Sequence, residues 1–232
     1  MSPVQNTEKL YAILQAPRKN QPQDTFRLRV CFAKRGRAAY LSHLEVAHAL
    51  ERVVRRAALP YAITQGFSPH MKIAFGAALP VGVGGERELF DVYLTSYIPP
   101  EEAHLALRDA SVPDLFIVSC EYIERSAPAA SNAYPVSLYE ARIDGELSGP
   151  LMAPPFITIT RKGKEKVLSV PDYLVAGPKI EGDSIQFALL AREEGSMRPN
   201  ALLDAMLADE VGVRVRSLTR IHQLSDPYAL PF

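Results

Sequence analysis

The sequence predicts an α+β protein: a ferredoxin-like βαββαβ unit followed by a second, reduced ferredoxin-like α+β unit. Three observations lead there. Short runs of apolar residues alternate with period two, and between them lie two segments with helical period. The first half orders these as β-α-β-β-α-β, the split βαβ pattern. A small, polar, proline-containing stretch, Ser126 to Asn132, then separates that unit from a second half ordered β-β-β-α-β.

Taken in order, residues 1–25 read as a flexible, polar lead-in, because Arg18 to Asp24 have no period. A short helix over Thr7 to Ala16 fits within it. The first strand opens at Phe26, with Phe26, Leu28, Val30 and Phe32 on one face and Arg27, Arg29, Cys31 and Ala33 on the other. A basic loop, Lys34-Arg35-Gly36-Arg37, follows. Ser42 and Glu45 form an S-x-x-E capping box, so a helix starts at His43. Its apolar stripe is Val46, Leu50, Val53 and Ala57, and Pro60 bounds it.

A strand over Ala62 to Ala74 is interrupted by Gly66-Phe67-Ser68-Pro69-His70, and another covers Glu88 to Thr95. The glycine-rich loop between them, Pro80 to Glu86, reads as a flexible hairpin. Pro99-Pro100-Glu101-Glu102 starts a second helix, with prolines in the first turn and acids at the positive end of the dipole. It reaches Ala110, and a strand over Leu115 to Ile123 closes the unit. Both helices are expected on one face of the sheet, so its other face must be covered or must bind something. In the second half, strands are expected at Tyr134–Ile143, Phe156–Val170 and Ser184–Arg192. A helix from Arg198-Pro199 to Leu207 and a strand over Val213–Gln223 complete it. The domain boundaries are therefore 26–125 and 133–224, with a tail at 225–232.

Composition bounds the function. The longest apolar runs fall far short of the ~20 residues that cross a bilayer, and nothing near Met1 resembles a secretory signal. Cys31 and Cys120 sit in separate strand-like runs and are expected to be buried free thiols in a cytoplasmic protein. Charge is segregated. The segment Phe26–Phe75 carries nine Lys or Arg against two acids, and Gly76–Arg125 carries three Arg against nine acids, in a chain of zero net charge. Such a map points to a face for a polyanion.

Candidate contacts follow from that map. Lys34, Arg35 and Arg37 form the basic loop, and His43 stands beside it as a phosphate grip or acid–base group. Gln65, Ser68, His70 and Lys72 are expected to be displayed by an irregular loop whose path Gly66 and Pro69 set. Arg161 and Lys162 open a second basic spot. A zinc site from His43, His70 and an acid has no ligand spacing to support it. Gly82-Val83-Gly84-Gly85 is no phosphate loop, because Lys-Ser/Thr does not follow it. No cofactor is expected. The outer face of the first strand holds no aromatic residue, so RNA contacts would be chiefly to phosphate and sensitive to salt.

The combined phrases LRVCFAKRGRAAYLSHLEVAHALERVVRRAALP, Q-G-F-x-P-H-x-K-I-x-F-G (Gln65–Gly76), LPVGV (Leu79–Val83) and ELFDVYL (Glu88–Leu94) resemble the radical-SAM-linked protein family. That bacterial domain of uncharacterised function is fused to, or encoded beside, a radical-SAM protein. RKGKEKVLSVPDYL (Arg161–Leu174) and MRPNALLDAML (Met197–Leu207) extend the likeness more loosely. The second half departs from the family pattern in lacking a clear helix before Phe156. The resemblance implies a bacterial, cytosolic protein that works with a radical-SAM partner in RNA metabolism or translation, and it carries over no catalytic residue. A radical-SAM enzyme needs three cluster thiolates, and this chain has two separated cysteines. The leading expectation is a non-enzymatic RNA-binding or adaptor protein. Its competitors are a metal-independent endoribonuclease of tandem ferredoxin-like type and a purely protein-binding scaffold.

Overall fold

The first strand, β1 (Phe26–Lys34), is buried along almost its whole length, on both faces. A computed structural model describes residues 25–161, 163–192, 195–226 and 229. The expected helix at 7–16 and most of the expected tail lie outside those residues. The chain is mixed α+β, with a large and mostly antiparallel sheet and few helices.

A 3₁₀ turn, Gly36–Tyr40, leads into α1 (His43–Arg56). The capping box is in place: the Ser42 N–H donates to Glu45 at 2.8 Å, and the Glu45 N–H donates to Ser42 Oγ at 3.4 Å. Next come β2 (Ile73–Phe75), β3 (Val83–Leu94), α2 (Pro100–Ala110) and β4 (Leu115–Tyr122). A one-turn helix, α3 (Ala130–Ala133), precedes β5 (Val136–Asp144). The second half adds β6 (Phe156–Arg161), β7 (Lys164–Ser169), β8 (Leu174–Glu181), β9 (Ser184–Leu190), α4 (Pro199–Met206) and β10 (Arg214–Leu224).

The main sheet runs β4-β1-β3-β10-β5-β9-β8, with β2 paired to β3, and β6-β7 stands apart as a hairpin. Strands of both halves thus share one sheet. They meet at the parallel pairing of β3 with β10, where Val83, Gly84 and Gly85 face Leu218, Thr219 and Arg220. Both helices of the first half pack on one face of it, as expected. Leu28, Val30 and Phe32 of β1 and Phe90, Val92 and Leu94 of β3 lie beneath Val46, Leu50 and Val53 of α1 and Ala103 and Leu107 of α2. In the second half, Tyr139, Ala141 and Ile143 of β5 and Ile185, Phe187 and Leu189 of β9 are covered by α4 and by Ile157 and Leu168 of the hairpin.

Several boundaries differ from expectation, each for a physical reason. β3 starts five residues before Glu88, so Gly84 and Gly85 belong to a strand and not to a flexible hairpin. A Cβ on Gly85 would lie 2.5 Å from the Glu88 side chain, which is why glycine stands there. The expected strand 62–74 shrinks to β2 and two isolated bridges, Tyr61 with Leu94 and Ile63 with Met71. The expected run 156–170 folds back as β6 and β7. β8 was hidden by Gly177-Pro178, which an edge strand tolerates because its outer N–H groups need no partner. Among the described residues no helix is long and apolar enough to cross a membrane.

Candidate nucleic-acid interface

The segregated charges of residues 26–125 pair in part with each other. β1 and β3 are antiparallel neighbours, and their register sets Arg29 opposite Asp91. Asp91 is fully buried and receives both arginines of β1: Arg27 Nη2 at 2.6 Å and Arg29 Nε at 2.7 Å. Both guanidinia continue to backbone carbonyls of the segment that follows β4. Arg27 donates to Ala127 O at 2.6 Å, and Arg29 donates to Pro128 O at 3.0 Å. The carbonyls of residues 125, 127 and 128, at the start of the expected linker Ser126–Asn132, therefore lie over the sheet face opposite the helices and engage its arginines.

The same pairing reaches into the basic loop. Lys34 is buried, only 3% exposed, and its ammonium donates to Leu41 O at 3.1 Å. Burial holds its pKa below the usual lysine value, against the pull of Glu88 and with a push from Arg220. It lines a cavity of about 30 Å³ with His43, Phe75 and Glu88, a volume on the scale of a water molecule. His43 is exposed at the start of α1, and its ring meets Phe75 edge-on at 5.7 Å. Arg35 is exposed and forks onto Glu86. That carboxylate also raises the Arg35 pKa, chiefly through the hydrogen bond.

Arg37 is fully exposed, and its guanidinium reaches no closer than 3.9 Å to Asp114. The Asp114 carboxylate instead accepts the Arg37 backbone N–H at 3.1 Å and so fixes the loop. Arg37 stands at the rim of an open groove of about 510 Å³ between the basic loop, α1 and the α2–β4 connection. Arg52 and Arg56, one helical turn apart on α1, complete the rim, above a floor that includes Ala38, Ala49 and Val53. One Arg56 nitrogen donates to the Ala110 carbonyl at the end of α2. By contrast Arg55 is tied to Glu51 at 3.1 Å, also one turn apart. The groove thus gathers three guanidinia against one carboxylate that is already in use. Arg52 and Arg56 were legible as i, i+4 neighbours with no acid one turn before Arg52, a spacing that places both on one face.

The loop from Gln65 to Lys72 is arranged differently from its expected display. Gln65, Ser68 and His70 are exposed. The His70 ring, however, turns back on the loop, with Nδ1 3.1 Å from Thr64 Oγ1 and 3.1 Å from the Ser68 carbonyl. Lys72 is half-buried, its ammonium 4.2 Å from the centre of the Tyr93 ring. The most exposed large side chain of the loop is Phe67, which its Gly-Phe-Ser-Pro context marks only as part of a turn. Arg161 ends β6, opposite Lys164 across the hairpin, and Lys162 lies outside the described residues. Of the expected contacts, Lys34 and His43 line one cavity and Arg37 a second, while Gln65 to Lys72 and Arg161 lie on other elements. Among the described residues no group of three or more His, Cys, Asp or Glu is placed to hold a metal ion.

The model of one protein family, described as an uncharacterized protein conserved in bacteria (DUF2344), matches residues 27–199. The chain belongs to that family. The match spans both halves of the sheet, from β1 to the first residue of α4. No curated protein matches the chain.

Proposed function

We propose that this chain is a non-enzymatic RNA-binding adaptor of the bacterial cytoplasm that acts beside a radical-SAM protein in RNA metabolism or translation. The groove carries the reading. Arg37, Arg52 and Arg56 line a groove of about 510 Å³ whose one acid, Asp114, is engaged by the Arg37 backbone. Guanidinium forks on a shallow groove suit phosphate oxygens, which they meet in bidentate fashion. The radical-SAM partner is supported by the resemblance of the Leu28–Pro60 and Gln65–Gly76 phrases. It is also consistent with Cys31 and Cys120 being separate free thiols, fewer than a cluster requires.

The same reading includes the fold. The order β4-β1-β3-β2 in the first half and β10-β5-β9-β8 in the second repeat one pattern. That pattern supports two ferredoxin-like units, the second with the β6-β7 hairpin in place of its first helix. An adaptor of two such units would offer the groove of the first to RNA and leave the second for its protein partner.

Binding of a labelled single-stranded RNA, followed by anisotropy from 50 to 200 mM salt, tests the proposal. The unaltered chain should bind with a salt-dependent affinity. Replacing Arg37, Arg52 and Arg56 together by Ala should weaken binding and lower the log–log salt slope by about 2, at ~0.7 per phosphate contact. No binding at low salt defeats the reading. Cleavage of the strand would make the chain a ribonuclease instead.

A further inference from the structure

Phe67 is more exposed than any other large apolar side chain described here, with its whole surface open to solvent. Exposing a phenylalanine forgoes the burial free energy its side chain would gain in a core, so a fold has no use for it there. Yet the loop that carries it is braced. The Thr64 N–H donates to the His70 carbonyl at 2.8 Å, and the His70 N–H donates to Thr64 Oγ1 at 3.2 Å. The imidazole closes the loop from inside through Thr64 and Ser68, and Ile63 pairs with Met71 at its base. Gly66 takes a positive φ of 150° at the tip. These bonds hold the ring out in advance of any contact, which lowers the ordering cost of binding.

The loop's own residues indicate what the ring meets. From Tyr61 to Gly85 the sequence holds no carboxylate, and the loop itself carries His70 and Lys72. Lys72, at the loop's base, keeps its cation on the Tyr93 ring. An exposed aromatic on a carboxylate-free loop with a lysine at its base is a combination that single-stranded nucleic acid uses: a base on the ring and phosphate on the cation. Paired bases are already stacked on both faces and offer a projecting ring nothing.

We infer that Phe67 is a stacking platform for an unpaired base, and that the RNA bound by this chain is single-stranded at that point. The inference rests on the RNA-binding reading above and adds the strand state of the ligand and the residue that senses it. The chain contains no tryptophan, so Phe67→Trp places the only indole at the tip of the loop.

A twelve-nucleotide oligouridylate and an RNA duplex of the same length are titrated into the Phe67→Trp protein, and binding by the Phe67→Ala protein is followed by anisotropy. The single strand should quench the indole in step with binding, and the duplex should not. Phe67→Ala should weaken the single strand about tenfold, the scale of one lost base stack. It should leave duplex affinity, the salt slope and the melting temperature unchanged. The inference falls if Phe67→Ala leaves single-strand affinity intact, or weakens both ligands equally, while the Arg37, Arg52 and Arg56 substitutions still reduce binding. In that case the RNA reading stands without it. If the unaltered chain binds neither ligand, the RNA reading has failed and Phe67 with it. An intact RNA affinity with loss of binding to a purified radical-SAM protein would make the loop a protein anchor and would also overturn the inference.

Discussion

Arg220 and Glu88, 132 residues apart in sequence, form a forked ion pair inside the protein, across the one parallel pairing described in the main sheet. Arg220 Nε donates to Glu88 at 2.9 Å, and the same guanidinium donates to the Ala77 carbonyl at 2.6 Å. Both side chains are nearly inaccessible. Burial works against the arginine's charge, but Glu88 outweighs it, and the net effect raises the Arg220 pKa. The pair therefore ties the strand that closes the second half to the strand that centres the first.

That arrangement predicts an asymmetric mutational response. Glu88→Ala or Arg220→Ala leaves one buried charge without its partner and should cost about 3–5 kcal/mol. Glu88→Leu with Arg220→Met removes both charges and should recover most of that loss. Urea unfolding of the three variants checks it. If the double variant is as unstable as the sum of the singles, packing at the seam and not the ion pair dominates.

Asp91 should behave more severely than its single charge suggests. It neutralises Arg27 and Arg29 together, and its own exposure is zero. Asp91→Asn keeps the shape but leaves two adjacent guanidinia sharing a neutral amide. A loss of about 3–5 kcal/mol is expected by the same argument. Restoration by Arg29→Met in the Asp91→Asn background would show that the surplus charge is the cause. No gain would mean that the Pro128 carbonyl already satisfies Arg29.

These two clusters also explain which parts of the protein were legible in the sequence. The helices were, because a capping box at Ser42–Glu45 and a Pro-Pro-Glu-Glu start are local signals, and local hydrogen bonds satisfy them. Strand alternation in β1 placed Leu28, Val30 and Phe32 correctly on the core side. It could not say that the other side, Arg27 and Arg29, would be just as buried. That depends on Asp91, more than sixty residues away, and on carbonyls beyond it. The charge map carried the same ambiguity. Segments of opposite sign are as consistent with pairing between adjacent strands as with an open binding face, and only the register decides. Arg37, Arg52 and Arg56 emerge as the groove's cations because Arg35 pairs with Glu86 and Arg55 with Glu51. The edge strand β8 and the strand character of Gly84-Gly85 were lost for a different reason: glycine and proline mark turns in general and close approaches or edges in particular cases.

The thiols give a pH dependence whose sign can be worked out. Burial, with a smaller contribution from Glu101, raises the Cys120 pKa from an ordinary 9.0 to about 11, and its Sγ–H donates to the Pro100 carbonyl at 3.2 Å. Between those two values the folded protein keeps a proton that the unfolded chain releases. The unfolded state then binds fewer protons, so stability falls as pH rises. The contribution is complete below pH 9 and is lost progressively towards 11. Cys31 is shifted in the same direction by burial, whereas Lys34, held below its usual value of 10.5, acts with the opposite sign. Comparing Cys120→Ala with the unaltered chain at each pH cancels both. The variant should melt lower at pH 8, because it lacks the sulfur's hydrogen bond and packing. The gap should narrow by about 2–4 °C between pH 9 and 11, the shift of a kilocalorie-scale term in a chain of this length after allowance for solvent screening of a half-buried group. A gap that stays constant across that range would mean that the Cys120 thiol ionises at its ordinary pKa, and that Pro100 and the sheet do not hold its proton.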